Sequence, residues 1–247
     1  MSKIRHRPAA PTERRNVAPR QTTDVHTHDD HQILFADSGV LEVITDVGTW
    51  FAPATRAIWI PAGTAHSWRA HGRLTVHMLG LPLSDNPLHL DSPAVLAVSP
   101  LLRELLRERT ADATASTPES RRLHAVLLDQ LRGSPLEPIR LPSPADETLA
   151  RVCRAMHADP SDSRSLAELA ADVSVSERTL SRRFRSQLGM TFPQWRTQLR
   201  LFHALKMLAS GASVTATAHA CGWSSTSAFI DVFRRAFGVT PGAHRRE

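Results

Sequence analysis

The sequence lacks the features of several common protein classes. It has no run of about 18 apolar residues, so we expect no transmembrane helix and no membrane partner. Its basic N-terminus has no apolar segment, which argues against a secretory signal. It has only two cysteines, Cys153 and Cys221, and both fall in predicted helices. This favours a reduced, cytoplasmic protein in which both are small core residues.

Signals of an enzyme are also scarce. No Gly-rich phosphate loop and no paired nucleophile and base stand out along the chain. The 247 residues are enough for two domains, and the 41% hydrophobic and 22% charged residues suit globular folding. The composition therefore predicts a two-domain globular chain without an evident catalytic centre.

Positive charge is distributed unevenly, and nearly all of it is arginine. Residues 1–22 carry six Lys/Arg and one acid, net +5, and residues 145–247 carry fourteen Lys/Arg and nine acids, also net +5. Residues 23–144 carry ten Lys/Arg and fourteen acids, net −4. Because arginine can grip phosphates and read guanine edges with two donors, this distribution predicts a nucleic-acid-binding C-terminal domain joined to one that does not bind nucleic acid.

Residues 165–240 contain one pattern written twice, with an offset of 48 to 49 residues. Each copy, at 165–188 and 214–237, predicts two short helices separated by a small-residue turn. Ser176 in the first copy, and Ser224 or Ser225 in the second, would cap the second helix of each pair. Equivalent apolar anchors recur every four residues: Leu180, Phe184 and Leu188, then Phe229, Phe233 and Phe237. A single copy could be a plain helical pair with solvated charges, but two copies in register weaken that interpretation.

The doubled pattern resembles the DNA-binding domain of the AraC/XylS family of bacterial transcription regulators. The most specific residues are Ala218, Cys221-Gly222-Trp223 and Phe237-Gly238-Val239-Thr240-Pro241. The resemblance covers about residues 145–247. It implies an all-α domain of seven helices, with a long central helix at 192–210. It also implies that two recognition helices enter successive major grooves of double-stranded DNA.

Carrying the family pattern over by position predicts the residues that contact DNA. In the first motif the base readers would be Arg178, Ser181 and Arg182, and the flanking or phosphate contacts Ser176, Thr179 and Arg183. In the second motif the readers would be Thr226, Ser227 and Asp231, and the backbone contacts Ser225, Arg234 and Arg235. Asp231 departs from the pattern, because many relatives carry a basic or amide residue there. An acid accepts from cytosine N4 but repels phosphate.

Residues 23–82 change to short strands with Gly and Pro between them, a pattern typical of a barrel or sandwich. One motif there contains His26, His28 and Gln32, and a second runs from Pro61 to His66. Together they resemble the two motifs of the cupin superfamily. The expected fold is therefore α+β and multidomain, with an N-terminal cupin-like β-barrel followed by the all-α seven-helix domain.

The cupin resemblance implies a metal site formed by two His and a Glu of the first motif and a His of the second. Here Gln32 replaces the Glu, and Ala70 stands where an Asn is usual. His26 and His28 lie two apart on a strand, so both face one side, and His66 would complete a set suited to a divalent transition metal. Gln32 would coordinate through its carbonyl oxygen. The alternative is a metal-free effector pocket formed by the same four residues and Trp59, with His31 exposed beside it.

The other segments connect these parts. Residues 1–22 show no period and predict a disordered basic arm. Within residues 83–133, leucine stripes predict helices near 94–109 and 118–132. These would cover the barrel or, as the resemblance implies, form a homodimer. Residues 134–144 contain four prolines and predict a stiff linker before the DNA-binding domain at 145–247.

These features predict a transcription regulator rather than an enzyme. The cupin-like domain would sense a small molecule or a metal, and the helical domain would bind a promoter, with RNA polymerase as a further partner. The alternative is a metal-dependent cupin enzyme, a dioxygenase or isomerase, with a helical appendage. Gln32 in place of the Glu argues against it, and the doubled motif accounts for more of the sequence.

Overall fold

The computed structural model describes residues 4–112 and 117–244. The chain forms two compact units, one from residues up to Asp46 with Trp50–Ile139 and one from Arg140 onward with Val47–Thr49. Residues 1–3 of the expected arm, residues 113–116, and residues 245–247 of the expected DNA-binding domain lie outside the described residues. In the described part of the chain, no helix combines the length and the apolar character needed to cross a membrane.

The first unit contains two β-sheets, as predicted for the N-terminal part. One has the strand order β1-β3-β8-β5-β6, and the other has the order β11-β10-β7-β4-β9-β2. The strands are β1 (Arg5–Arg7), β2 (Glu13–Val17), β3 (His26–His28), β4 (His31–Ala36), β5 (Val40–Thr45), β6 (Gly48–Pro53), β7 (Arg56–Ile60), β8 (His66–His71), β9 (Leu74–Leu81), β10 (Ala94–Ala97) and β11 (Leu136–Glu137).

Two helices, α1 (Pro100–Ala111) and α2 (Pro118–Arg132), pack on one face of the second sheet. Their buried leucines meet Ile33, Phe35 and Trp59 in one apolar cluster. The prediction of a helix from 94 is wrong at its start, because Ala94–Ala97 pair with β7 as strand β10. The helix begins only after Ser99, whose Oγ accepts a hydrogen bond from the backbone N of Leu102 at 3.1 Å.

The prediction of a disordered arm is wrong for the described part of residues 1–22. β1 pairs in parallel with β3, and β2 pairs antiparallel with β9, so the arm adds a strand to an edge of each sheet. Ala10 and Val17 are buried. The arm passes so close to Gly80 that a Cβ on Gly80 would lie 2.3 Å from the Ala10 carbonyl oxygen. The arm is ordered because its strands form hydrogen bonds with the N–H and C=O groups at the sheet edges, which are distant from it in sequence.

The predicted linker at 134–144 is also partly strand. Leu136–Glu137 pair antiparallel with β10, and Arg140–Pro142 form β12 in the second unit, where they contact the central helix. Proline excludes helix, as predicted, but its fixed φ is compatible with short edge strands. The division between the two units falls inside this segment, between Ile139 and Arg140.

The second unit contains seven helices in its described residues, as predicted. They are α3 (Glu147–Ala158), α4 (Leu166–Asp172), α5 (Glu177–Leu188), α6 (Phe192–Ala209), α7 (Val214–Ala220), α8 (Thr226–Phe237) and α9 (Pro241–His244). Helix α6 is the predicted long central helix. The second helix of each motif begins after a serine N-cap, Ser176 or Ser225, and ends at a left-handed glycine, Gly189 or Gly238.

Candidate functional sites: two recognition helices and a buried histidine cluster

Helices α5 and α8 expose the predicted polar face because their apolar anchors are fully buried. Leu180, Phe184 and Leu188 hold α5, and three phenylalanines hold α8. On α5, Arg178 and Arg182 are exposed, whereas Thr179 and Ser181 are half-buried beside them. On α8, all predicted contacts are exposed except half-buried Thr226: Ser225, Ser227, Asp231, Arg234 and Arg235. Each motif thus presents one continuous polar surface.

The arginines of α5 are not equivalent. The Arg183 Nη1 donates to Asp146 Oδ1 at 2.7 Å, and Asp146 is the N-cap of α3. The Arg185 Nη1 donates to Ser181 Oγ at 2.8 Å within α5 itself. Among the described residues, neither Arg178 nor Arg182 forms an ion pair, so their guanidinium groups keep all their donors for a ligand. The structure therefore separates two exposed arginines without ion-pair partners from one that is bonded to the N-cap of α3.

Each cap serine accepts a hydrogen bond from its own helix through Oγ. Ser176 Oγ accepts from the backbone N of Thr179 at 3.1 Å, and Ser225 Oγ accepts from the backbone N of Ala228 at 3.1 Å. The N-terminal N–H groups of a helix are natural phosphate donors. Accepting these bonds does not use the hydroxyl proton of either serine, so the sites at Ser176 and Ser225 suit a phosphate contact through the backbone N–H groups and through the hydroxyl.

The four polar residues of the predicted effector site are buried in the first unit. His26 and His28 lie on β3, His66 begins β8, and Gln32 lies on β4. Their exposed fractions are between 0% and 2%. His26 and His66 are directly paired across β3 and β8, and one nitrogen of each ring lies within 4.8 Å of the others. The structure therefore brings together the three histidines that the resemblance to the cupin motifs singles out.

Backbone carbonyls fix the orientation of all three rings. The Nδ1 atoms of His26, His28 and His66 lie 2.9, 2.7 and 2.9 Å from the carbonyl oxygens of Asp24, Asp30 and Thr64. A carbonyl oxygen can only accept, so each Nδ1 must carry the proton. Each neutral ring then has a lone pair on Nε2. This is the arrangement by which a protein orients histidine ligands for a metal.

Burial favours the uncharged form of His26 and His66, and one ring nitrogen of the cluster has no partner among the described residues. Burial lowers the pKa of His66 to about 3, with smaller contributions from the neighbouring rings and from Arg7, and burial also lowers the pKa of His26. Gln32 Oε1 lies 3.3 Å from His28 Nε2. Among the described residues, His66 Nε2 has no hydrogen-bond partner. The residues present therefore fit a Lewis acid, since three Nε2 atoms converge in a buried site while each Nδ1 is bonded to a carbonyl.

Two expectations near this cluster are wrong. Trp59 does not line it, because Trp59 pairs with Ile33 on the sheet face that packs against α1 and α2, whereas Gln32 lies on the opposite face. His31 is 7% exposed rather than exposed. It stacks on Trp59 at 4.7 Å and accepts from the backbone N of Ala62 at 3.1 Å. Both residues are part of the apolar layer behind the site.

Sequence reasoning missed Arg5 and Arg7. Their strand β1 pairs in parallel with β3, Arg5 beside His26 and Arg7 beside His28, so these side chains share a sheet face with the histidines. The charge of Arg7 contributes to the lowered pKa of both His26 and His66. Arg5, His6 and Arg7 are all polar, so they show no alternation of apolar and polar residues that would distinguish a strand from an unstructured arm.

Comparison with known proteins agrees with this architecture. The AraC-like ligand binding domain matches residues 14–173, more than half of the chain, and a helix-turn-helix domain matches residues 169–247. The HTH-type transcriptional regulator NimR of Escherichia coli (strain K12) is 34% identical over 229 residues, which cover 90% of this chain and 82% of NimR. The HTH-type transcriptional regulator RipA of Corynebacterium glutamicum is 36% identical over 100 residues, which cover 40% of this chain and 30% of RipA.

A crystal structure of ToxT from Vibrio cholerae covers 96% of this chain and 98% of that one, at 12% identity and a TM-score of 0.42, which is too low to support an argument. The long match to NimR and the two domain matches identify regulators, which decides against the alternative of a cupin enzyme. The chain belongs to the AraC family of DNA-binding transcription regulators, with a ligand-binding domain in its N-terminal part and a helix-turn-helix domain in its C-terminal part.

Proposed function

We propose that this regulator senses its effector at the buried histidine cluster, where His26, His28 and His66 hold a divalent transition metal. The observation that carries the proposal is the convergence of three buried Nε2 lone pairs, each enforced by a carbonyl at Nδ1. Lone pairs that face one another without a proton repel unless a cation or a donor lies between them. Imidazole nitrogens suit Zn, Mn, Fe or Ni, and Gln32 adds an oxygen ligand.

The charge of this site also indicates the class of effector. Three neutral imidazoles and a neutral amide do not compensate a divalent cation, and uncompensated charge is costly in a buried site. Arg5 and Arg7 lie on the same sheet face and add positive charge. The negative charge of a carboxylate on the effector would compensate the charge of the metal and that of the two arginines. The effector we propose is therefore an organic acid that completes the ligand set.

Metal content and thermal unfolding of the full-length chain test this proposal. After chelation and dialysis against Zn²⁺, Mn²⁺ or Ni²⁺, we expect about one metal per chain and a rise in Tm, because the ligand binds only the folded state. His66→Gln should abolish both effects. His31→Gln removes a buried histidine that does not face the cluster and should abolish neither. Absence of metal binding in the unaltered chain would instead favour a pocket whose histidines accept hydrogen bonds from an organic effector.

For DNA, we propose that Arg178, Ser181 and Arg182 read one major groove and that Thr226, Ser227 and Asp231 read the next. The exposed arginines of α5 without ion-pair partners support this assignment, as do the buried anchors that fix each helix. Thr179, Arg234 and Arg235 would contact flanking phosphates. For Arg183 we propose a bracing role through Asp146. Protection of two short blocks about 10 bp apart in a footprint would support this pairing of helices with grooves.

We also propose a homodimer formed through α2. Val126 on that helix is 42% exposed, and Leu123 is only partly buried against the core below. An apolar outer edge on a helix that already covers a sheet is suited to a second copy. Sedimentation of the chain and of Val126→Glu would test it, and a monomer in both samples would contradict it. Contact with RNA polymerase stays a prediction.

A further inference from the structure

One arginine of the central helix reaches into the segment that precedes the first motif. Arg200 on α6 donates from Nε to the Pro160 carbonyl at 3.0 Å and from Nη2 to the Asp162 carbonyl at 3.1 Å. One helical turn earlier, Arg196 donates to the Arg164 carbonyl. Residues 159–165, the α3–α4 loop, are thus bonded to α6 at every second carbonyl. This loop leads directly into α4 and from there into the recognition helix α5.

The α3–α4 loop is itself stiff. Asp159 Oδ1 accepts from the backbone N of Ser161 at 2.9 Å, and the Asp162 carboxylate pairs with Arg164 Nη2 at 2.6 Å. Hydrogen bonds from Arg164 lower the pKa of Asp162, so this pair remains charged at neutral pH. A displacement of the loop would therefore be transmitted to α4 rather than absorbed within it.

The turn of the second motif lies against the same loop and the same arginine. Gly222, between α7 and α8, has φ +73. A Cβ at this position would lie 2.7 Å from Arg200 Nη2, 2.7 Å from Ser161 Cα and 2.9 Å from the Ser161 carbonyl oxygen. Two of these atoms are backbone and cannot rotate away. The guanidinium of Arg200 therefore touches both motifs, at the loop before the first and at the turn inside the second.

The equivalent position of the first motif shows that the turn alone does not demand glycine. Ser174 stands 48 residues before Gly222, in the same turn between the two helices, and has φ +57 with an exposed side chain. A side chain is thus tolerated in this left-handed conformation when space is available. The absence of a side chain at Gly222 reflects the close approach of Arg200 and Ser161.

We propose that Arg200 and Gly222 are positioning residues that fix the distance and rotation between α5 and α8, and thereby set the spacing of the two DNA blocks that this regulator accepts. The proposal rests on both helices reading DNA. One base pair advances the duplex by about 3.4 Å and rotates it by about 36°. Relieving the contacts of a Cβ at position 222 needs a displacement of about 1 Å, which is a fraction of one base-pair step, so its main expected effect is a broader range of accepted spacings.

The test selects bound duplexes from a random library with the full-length chain and compares the block spacing among variants. We expect the unaltered chain to select one spacing and Gly222→Ala to select a broader or shifted distribution. The matched control is Gly211→Ala, because Gly211 also has a positive φ, +90, but a Cβ there would meet nothing within 4 Å. Gly211→Ala thus reproduces the backbone strain without the steric contact, and it should keep the original spacing.

A second pair of variants guards against loss of folding at Gly222. Arg200→Lys keeps the charge but cannot reproduce the fork that bonds two carbonyls. Its control is Arg154→Lys, at an ion pair with Glu147 whose side chains are 60% and 76% exposed. On duplexes with one base pair inserted or deleted, we expect the unaltered chain and both controls to lose roughly tenfold in affinity. Arg200→Lys and Gly222→Ala should lose only about twofold.

Three results would overturn the proposal. The first is the original spacing preference in Arg200→Lys and in a Gly222→Ala chain that melts cooperatively. If Gly222→Ala does not fold, Arg200→Lys alone decides. The second is an unaltered chain that selects only a single block, because then no spacing exists to be set. The third is an unaltered chain that selects two blocks at variable spacing. That result would contradict positioning by Arg200 and Gly222 but would leave the reading of DNA by both helices intact.

Discussion

The two helix-turn-helix motifs share a backbone plan but present different chemistry to DNA. Helices α5 and α8 each have 12 residues, a serine N-cap and a left-handed glycine end. The arginines of α5 are spread from its first turn to its last, whereas α8 has hydroxyls in its first turn and arginines only in its last. The two motifs thus share helix length, N-cap and C-terminal glycine. They differ in the exposed side chains that would contact bases and phosphates.

The two motifs also differ in what holds their recognition helices. The ring of Phe184 on α5 lies 5.2 Å from Phe192 and 5.6 Å from Trp195, both on the central helix. The ring of Phe233 lies 5.6 and 4.6 Å from Phe229 and Phe237 of its own helix. Phe233 also lies 5.8 Å from His244 of α9, so the first recognition helix has ring contacts with the central helix and the second has them with the C-terminal helix.

The largest expected effect comes from removing these two anchors in turn. Phe184→Ala and Phe233→Ala should each cost about 3–5 kcal/mol, the usual range for a buried phenylalanine. Phe184→Ala should lower the Tm of the whole helical domain and weaken both protected blocks, because it opens the contact with α6. Phe233→Ala should mainly remove the second block. Thermal unfolding and footprinting check this, and equal loss of both blocks in the two variants would contradict the difference in anchoring.

Reading by the two motifs should differ next. Arg182→Ala should cost about 1–3 kcal/mol of binding and relax the preference at one base pair, because an exposed arginine supplies two donors to guanine. Ser227→Ala, at the exposed face of α8, should cost less. Arg183→Ala is the control, since its partner is Asp146 and its loss should lower Tm without changing base preference. Fluorescence anisotropy with operator variants measures the affinity and the base preference of each protein. An unchanged affinity of the Arg182→Ala variant would exclude Arg182 as a base-reading residue.

What the sequence predicted well was local. Caps, turns and helical periods depend on neighbours within four residues, so α4, α5, α7 and α8 were placed with their ends. Period 2 places His26 and His28 on one face, whereas the inclusion of His66 followed from the resemblance to the cupin motifs. The arm and the Pro-rich segment were misjudged because their strands exist only through distant edges. Trp59 was misplaced because alternation shows that two faces exist but not which one encloses the site. The contacts of Arg200 with the α3–α4 loop are 38 and 40 residues apart in sequence and leave no local signal.

Substitution of the glycines that end α5 and α8 should have the same effect on stability, because the two helices end in the same backbone conformation. Gly189 has φ +69 and Gly238 has φ +79, and a Cβ at either would meet nothing within 4 Å. Gly189→Ala and Gly238→Ala should therefore each cost only the strain of a left-handed residue, about 1 kcal/mol. Matching shifts in Tm, with block spacing retained, are the expected result. A much larger loss in one of them would show that the two helix ends are not equivalent.

The smallest effect concerns Asp231, the acid on the exposed polar side of α8. If it only repels nearby phosphate, Asp231→Asn should raise affinity about two- to fivefold at low salt, and the gain should shrink as salt screens the charge. If Asp231 accepts from cytosine N4, the same variant should lose affinity for the operator and change its preference at one position of the second block. Anisotropy across a salt series distinguishes the two, because screening acts on the repulsion and leaves the base preference in place. The second outcome would make α8 a reader in its own right, and the first would leave most of the base discrimination to α5.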